Sequence, residues 1–117
     1  MIVRIKNLRL RTILGVGDWE RKDRQDVVLS IEFEADATRA AESDDIADAV
    51  NYRGIAKAVI ALVETTRYHL LEALCQEVLK VVMADERIAW ARVEIVKPHA
   101  LRFADAVSVE ARAERPS

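Results

Sequence analysis

Apolar and polar residues alternate with a period of two in four stretches of the chain and recur at helical spacing in two others. Val27, Leu29, Ile31, Phe33 and Ala35 alternate with Ser30, Glu32, Glu34 and Asp36, the pattern of a long strand with one buried face. The stretch from about residue 2 to residue 14 is less regular. Val3 and Ile5 hold one parity and Leu8 and Leu10 the other, with Arg9 and Arg11 opposite. A change of phase near Asn7 is what a β-bulge produces. Gly15-Val16-Gly17-Asp18 then supplies turn residues, the loop Asp18 to Gln25 is charged, and the two strands are expected to pair as an antiparallel hairpin.

Residues 37–49 are small and acidic and suit a loop with a short helical turn. Asn51 is placed to cap a helix whose core stripe is Ile55, Val59, Leu62 and Val63 and which ends near Glu64. A second stripe, Leu71, Leu74, Cys75, Val78 and Val82, predicts a helix from about Leu70 to Ala84. Glu72 lies in its first turn, off the stripe, where the helix dipole favours a carboxylate. Ala91, Val93 and Ile95 then alternate with Arg92 and Glu94, and the next residue on the apolar parity is Lys97. Pro98 cannot donate to a ladder and closes this strand, so Lys97 is expected at the rim of the core, its stem packed and its amine reaching a crevice. Val107, Val109 and Ala111 face inward on a last strand, opposite Ser108, Glu110 and Arg112, before a polar tail from Glu114 to Ser117.

The expected architecture is therefore α+β, in the order ββααββ: one domain over residues 1–117, with a four-stranded antiparallel sheet and two helices on one face. Strands of about eleven residues exceed the usual five or six. Long bare edges are sticky, and closure of several copies into a barrel would remove them.

Composition narrows the chemistry. The chain of 117 residues is 51% hydrophobic and 32% charged with a net charge of −2, the balance of a soluble globular protein. Its basic residues are interleaved with acids, so nucleic acid is not an expected partner. Neither a leader of signal-peptide length nor a membrane-spanning stretch is read, and a cytoplasmic location is the default expectation. Cys75 alone cannot form an internal disulfide. Zinc spacing, P-loop, dinucleotide fingerprint and serine elbow are absent, and His69 and His99 stand far apart, so no metal and no cofactor is expected.

Four modest features remain: Glu20 in the charged loop, Asn51-Tyr52 opening the first helix, His69-Leu70-Leu71-Glu72 opening the second, and Lys97-Pro98 ending a strand. In this order and spacing they resemble the dihydroneopterin aldolase and epimerase family, over residues Arg4 to Glu110. Arg4-Ile5-Lys6-Asn7-Leu8-Arg9-Leu10-Arg11-Thr12, Arg24-Gln25-Asp26, Asn51-Tyr52-Arg53, Leu70-Leu71-Glu72 and above all His99-Ala100-Leu101-Arg102-Phe103-Ala104-Asp105 look like its epimerase branch. The aldolase branch carries proline and glycine in the loop after the lysine, and this loop has neither glycine nor a second proline.

The resemblance implies a tunnelling fold, closed into a barrel by a homo-oligomer, expected to be an octamer with sites shared between subunits, and a pterin substrate. It implies Glu72 as the pterin anchor, beside Leu71 and Asn51, Tyr52 and Lys97 as the acid/base pair, and Glu20 as the acid approaching from the loop. His99 and Arg102, with Arg53 and Arg24, are candidates to hold phosphates, since guanidinium forks suit them. The reaction implied is epimerisation at C2′ of a dihydroneopterin triphosphate. The alternatives are an aldolase with the same residues and a pterin-binding protein of this fold without catalysis.

Overall fold

The computed structural model describes residues 1–116. The first strand, β1 (Ile2–Thr12), pairs antiparallel with β2 (Gln25–Ala35), and the register jumps from Ile5 opposite Ile31 to Leu8 opposite Leu29. Asn7 sits at this bulge with φ 56°, and its backbone N–H donates to the Ser30 hydroxyl at 3.3 Å. An unbulged strand would keep the parity of Val3 and Ile5 and drive Arg9 and Arg11 into the core. The extra residue turns Leu10 and Thr12 inward instead, where both are buried, and leaves the arginines on the polar face.

After β2 come a six-residue helix, α1 (Thr38–Ser43), and a 3-10 turn at Ile46–Asp48. The two long helices follow: α2 (Tyr52–Thr65), capped by Asn51, and α3 (Leu71–Met83). The chain then returns through β3 (Ile88–Pro98) and β4 (Ala106–Glu114). The sheet order is β1-β2-β3-β4, antiparallel throughout. This is the expected ββααββ architecture with both long helices on one face; α2 lies over β1 and α3 over β3 and β4.

The core lies between the sheet and these helices. Val27, Leu29, Ile31 and Phe33 of β2 and Ile88, Ala91, Val93 and Ile95 of β3 meet Ile55, Val59 and Val63 of α2 and Leu74, Cys75, Val78, Leu79 and Val82 of α3. Two details differ from the sequence pattern. Leu62 is only partly buried, whereas Leu79, absent from the expected stripe, is buried. Val109 and Ala111 point inward but stay partly buried, because β4 is an edge strand covered by one helix. Both β1 and β4 end the sheet with a free edge. Among the described residues no helix is long and apolar enough to cross a membrane.

The opposite face of the sheet is polar and crossed by ion pairs: Glu32 of β2 meets Arg4 of β1 and Arg92 of β3, and Arg92 meets Glu110 of β4. Trp90 donates its indole N–H to Glu34, and Arg112 lies over the Trp90 ring. A helix-covered apolar face and a charged bare face give the sheet two distinct environments. The candidate site forms where they meet, at the C-terminal end of β3.

Candidate active site

Lys97 is the last core-parity residue of β3, opposite Val107 of β4. Its side chain is 15% exposed, and Nζ donates to Glu20 Oε2 at 2.6 Å. Glu20 comes from the 3-10 turn Trp19–Arg21 between β1 and β2. Its other oxygen accepts the Gly17 N–H at 3.1 Å, and Gln25 Nε2 reaches Oε2 at 3.3 Å while also donating to the Leu14 carbonyl at 2.7 Å. The Lys97 ammonium, and then the Gly17 and Gln25 donors, hold the Glu20 carboxyl below its ordinary range, outweighing the opposite effect of burial.

Close approach needs Gly15. This residue has φ +124°, and a Cβ built on it would lie 2.3 Å from the Glu20 carboxyl carbon. Only glycine tolerates both the dihedral and the contact. Arg21 fastens the same turn to the segment entering α3: it donates to the carbonyls of Gly15 and Tyr68, each at 3.1 Å, and of Arg67 at 2.6 Å. Arg67 donates back to the Arg21 carbonyl at 3.0 Å, and the Gly15 N–H reaches the Tyr68 carbonyl at 3.3 Å. Arg21, Gln25, Gly15 and Gly17 were legible only as loop residues, and nothing in their spacing shows that the last three surround one carboxylate or that Arg21 braces the turn carrying it.

This clamp sets the start of α3 beside the Lys97–Glu20 pair. Leu71 is buried there and Glu72 is exposed in the first turn, with the unpaired N–H groups of a helix start around it. Asn51 and Tyr52 stand elsewhere in the chain. Asn51 Oδ1 accepts the Gly54 N–H at 2.9 Å as a helix cap, and Tyr52 is 59% exposed. Arg87, just before β3, donates to the Ala49 carbonyl at 3.1 Å, which places the start of α2 near the beginning of β3. Lys97 stands at its other end, on the order of 30 Å away at about 3.3 Å per strand residue. One chain thus brings Lys97, Glu20 and the start of α3 to one end, and Asn51, Tyr52 and Arg53 to the other.

The remaining candidates lie in the loop after β3. His99 adopts φ 59°, and its N–H closes the loop on the Asp105 carbonyl at 3.4 Å. Arg102 stacks over the exposed ring of Phe103. Arg24 offers its carbonyl to Arg11 at 2.9 Å. Cys75 packs against β3, and burial pushes its thiol up to about 11, so it stays protonated. Among the described residues no group of three or more His, Cys, Asp or Glu side chains could hold a metal ion.

An ammonium and a carboxylate locked together at the rim of an apolar core form a couple that can hold a proton and pass it to a neighbouring ligand. Comparison with known proteins gives this couple a context. The profile of the FolB dihydroneopterin aldolase family matches residues 3–112. The chain belongs to the dihydroneopterin aldolase family. Within that family it is 47% identical over 108 residues to a dihydroneopterin triphosphate 2′-epimerase of Escherichia coli strain K12, covering 92% of this chain and 90% of the relative. It is 39% identical over 108 residues to a dihydroneopterin aldolase of the same organism, covering 92% and 88%. The crystal structure of Escherichia coli dihydroneopterin aldolase in complex with neopterin superposes with a TM-score of 0.91 at 37% identity, covering 97% of this chain and 98% of that one. The fold of this dihydroneopterin aldolase family member is accordingly the tunnelling-fold domain of its solved relatives.

Proposed function

We propose that the protein epimerises C2′ of 7,8-dihydroneopterin triphosphate by retro-aldol and aldol steps. The observation that carries this reading is the Lys97–Glu20 pair, 2.6 Å apart at the end of the domain where α3 presents Glu72, in a chain that is 47% identical to an enzyme named for that reaction.

The chemistry follows from the substrate. A reduced pterin presents adjacent N–H donors, and the Glu72 carboxylate accepts two of them in a fork that fixes the ring. The C6=N5 imine is an electron sink, so the reaction needs no cofactor. The 2′-hydroxyl gives up its proton, the C1′–C2′ bond breaks, and its electron pair moves through C6 to N5, which is protonated to leave an enamine and an aldehyde. When the aldehyde turns over and the enamine re-adds to its other face, C2′ is inverted and both protons return. Lys97, oriented by Glu20, and Tyr52 of a neighbouring subunit move these protons. The separation of Tyr52 from Lys97 within one chain, and the two free sheet edges, support a site completed by a second copy in a homo-oligomer, for which an octamer is the expected size.

An aldolase would release the aldehyde and protonate C1′, and the 39% identical relative is named for that activity. The loop His99 to Asp105, without glycine, favours the epimerase. Incubating the protein with dihydroneopterin triphosphate, and separately with dihydroneopterin, and resolving the oxidised pterins by chromatography decides between them. The 2′-epimer of the triphosphate is the expected main product. Predominant 6-hydroxymethyl-dihydropterin from the unphosphorylated substrate would make the protein an aldolase, and pterin binding without turnover would remove catalysis from it.

A further inference from the structure

The polar face of the sheet carries a groove of about 380 Å³ at the end that bears the Lys97–Glu20 pair, lined by Arg9, Arg11, Asp26, Val28, Pro98 and His99 among others. We propose that this groove binds the polyphosphate arm of the substrate, with Arg9 and Arg11 as its principal anion-binding side chains and His99 at its mouth; the proposal rests on the reading of the substrate as a triphosphate.

The bulge at Asn7 creates the arrangement. By shifting the phase of β1 it puts Arg9 and Arg11 on the polar face, beside Asp26 and Val28 of β2. Two residues apart on one strand, their Cα atoms are about 7 Å apart, and each guanidinium can fork onto a different phosphate of one chain. Arg11 is oriented from two sides, by Asp26 at 3.4 Å and by the Arg24 carbonyl at 2.9 Å. Arg9 has no ion-pair partner among the described residues, and Asp26 is the one carboxylate in the lining, so the groove holds a surplus of positive charge.

A second groove lies on the same face, away from Pro98 and His99. It is lined by Arg4, Lys6 and Arg92 together with Glu32 and Glu94, and Glu32 pairs with both arginines, at 2.9 and 3.4 Å. Arg4 and Arg92 are thus drawn together by one acid lying between them, whereas Lys6 has no ion-pair partner among the described residues. The first groove is the one set beside the site, because Pro98 and His99 in its lining follow Lys97 directly in sequence. His99 reverses the chain there through a left-handed conformation that non-glycine residues seldom adopt, and such conformations concentrate at ligand sites. A substrate whose pterin is held at the start of α3 and whose C2′ lies at Lys97 thus has, past the strand end, a basic channel for its phosphates. Of the basic residues proposed from sequence, His99 alone lines this groove. Arg53 stands at the far end of the chain, and Arg102 is stacked on Phe103.

The test compares the wild type with R9Q, R11Q and the double variant. Both positions are exposed on the bare face, and thermal melts verify folding. The readouts are the ratio of kcat/KM for dihydroneopterin triphosphate to that for dihydroneopterin, and competition by inorganic tripolyphosphate. Losing charge-assisted hydrogen bonds is expected to lower the ratio roughly tenfold for each arginine, and tripolyphosphate should inhibit the wild type but not the double variant. A ratio retained in the double variant, with a wild type that prefers the triphosphate, would overturn the groove and leave the proposed reaction standing. If the wild type does not turn over the triphosphate, the proposed reaction fails, and calorimetric titration with tripolyphosphate decides the groove alone: binding lost in the double variant supports it, and no binding to the wild type sinks it.

Discussion

Lys97 and Glu20 stand 77 residues apart in sequence, yet the lysine Nζ lies 2.6 Å from the glutamate carboxylate, and their side chains are 15% and 14% exposed. Lys97 holds the Glu20 carboxyl below its ordinary value of 4.5. A group whose value is depressed by folding stabilises the fold above its unfolded value, and that contribution disappears as the pH falls through the folded value. Glu20→Gln should therefore lower stability at neutral pH by roughly 1–3 kcal/mol, because a mostly buried ammonium loses its partner. The difference should shrink below about pH 4.5. Urea unfolding of both proteins at pH 7 and near pH 3.5 checks this, and an equal gap at both values would show that the pair contributes nothing dependent on protonation.

Lys97 and Glu72 have different jobs in the proposed reaction, and kinetics can separate them. Lys97→Ala removes a proton carrier, so turnover should fall by about 10²–10⁴ while pterin still binds. Glu72→Ala removes the ring anchor and should weaken pterin binding, raising KM roughly tenfold or more. Steady-state rates together with fluorescence titration of a pterin product distinguish the two. Equal losses of binding in both variants would contradict the division of roles.

Gly15 is the closest neighbour of the Glu20 carboxyl that a single methyl group can disturb. Gly15→Ala must relieve an approach of 2.3 Å to the Glu20 carboxyl and tolerate a φ of +124° at once. A cost of about 1–3 kcal/mol is expected from the backbone alone, with a loss of turnover as Glu20 is pushed from Lys97. Gly17→Ala, whose added methyl would meet the Glu20 carboxylate at 3.2 Å and the Trp19 indole at 3.3 Å, is the milder control. If the two variants melt and turn over alike, the glycine at 15 does not position the carboxylate.

Arg21 ties three carbonyls to one guanidinium, and its removal should free the turn rather than unfold the sheet. Arg21→Ala is expected to speed hydrogen exchange across residues 15–22 and 67–70 while the amides of β2 and β3 keep their protection. Uniform acceleration over the whole chain would mean that the clamp supports global stability and not the site.

The periodic patterns made the fold readable. Strict alternation in β2 and β3 marks their buried faces, and the phase change at Asn7 marks the bulge, because a slip of one residue exchanges the two faces of a strand. Lys97 was legible as the residue where the buried parity ends. What pattern could not show is convergence: Gln25, Arg21 and Gly15 act through contacts set by loop geometry, and their residue types suit any polar turn. Arg9 and Arg11 likewise read as the solvated side of a strand, since the groove beside them exists only once Pro98 and His99 are placed next to β1 and β2 in space.

Tyr52 poses the last question, since it stands with Asn51 near the beginning of β3 while Lys97 lies at the end. If each site takes Lys97 from one subunit and Tyr52 from its neighbour, then Tyr52→Phe and Lys97→Ala are both weak or inactive alone, yet can complement each other. Unfolding the two variants together, refolding at equal ratio and assaying the mixture should restore about one quarter of wild-type turnover, the share of interfaces with both intact residues under random assembly. Sites contained within single chains would give no recovery, because every chain carries one defect. Recovery that appears on corefolding and is absent when the folded variants are merely mixed would assign Tyr52 to the active site of the adjacent subunit.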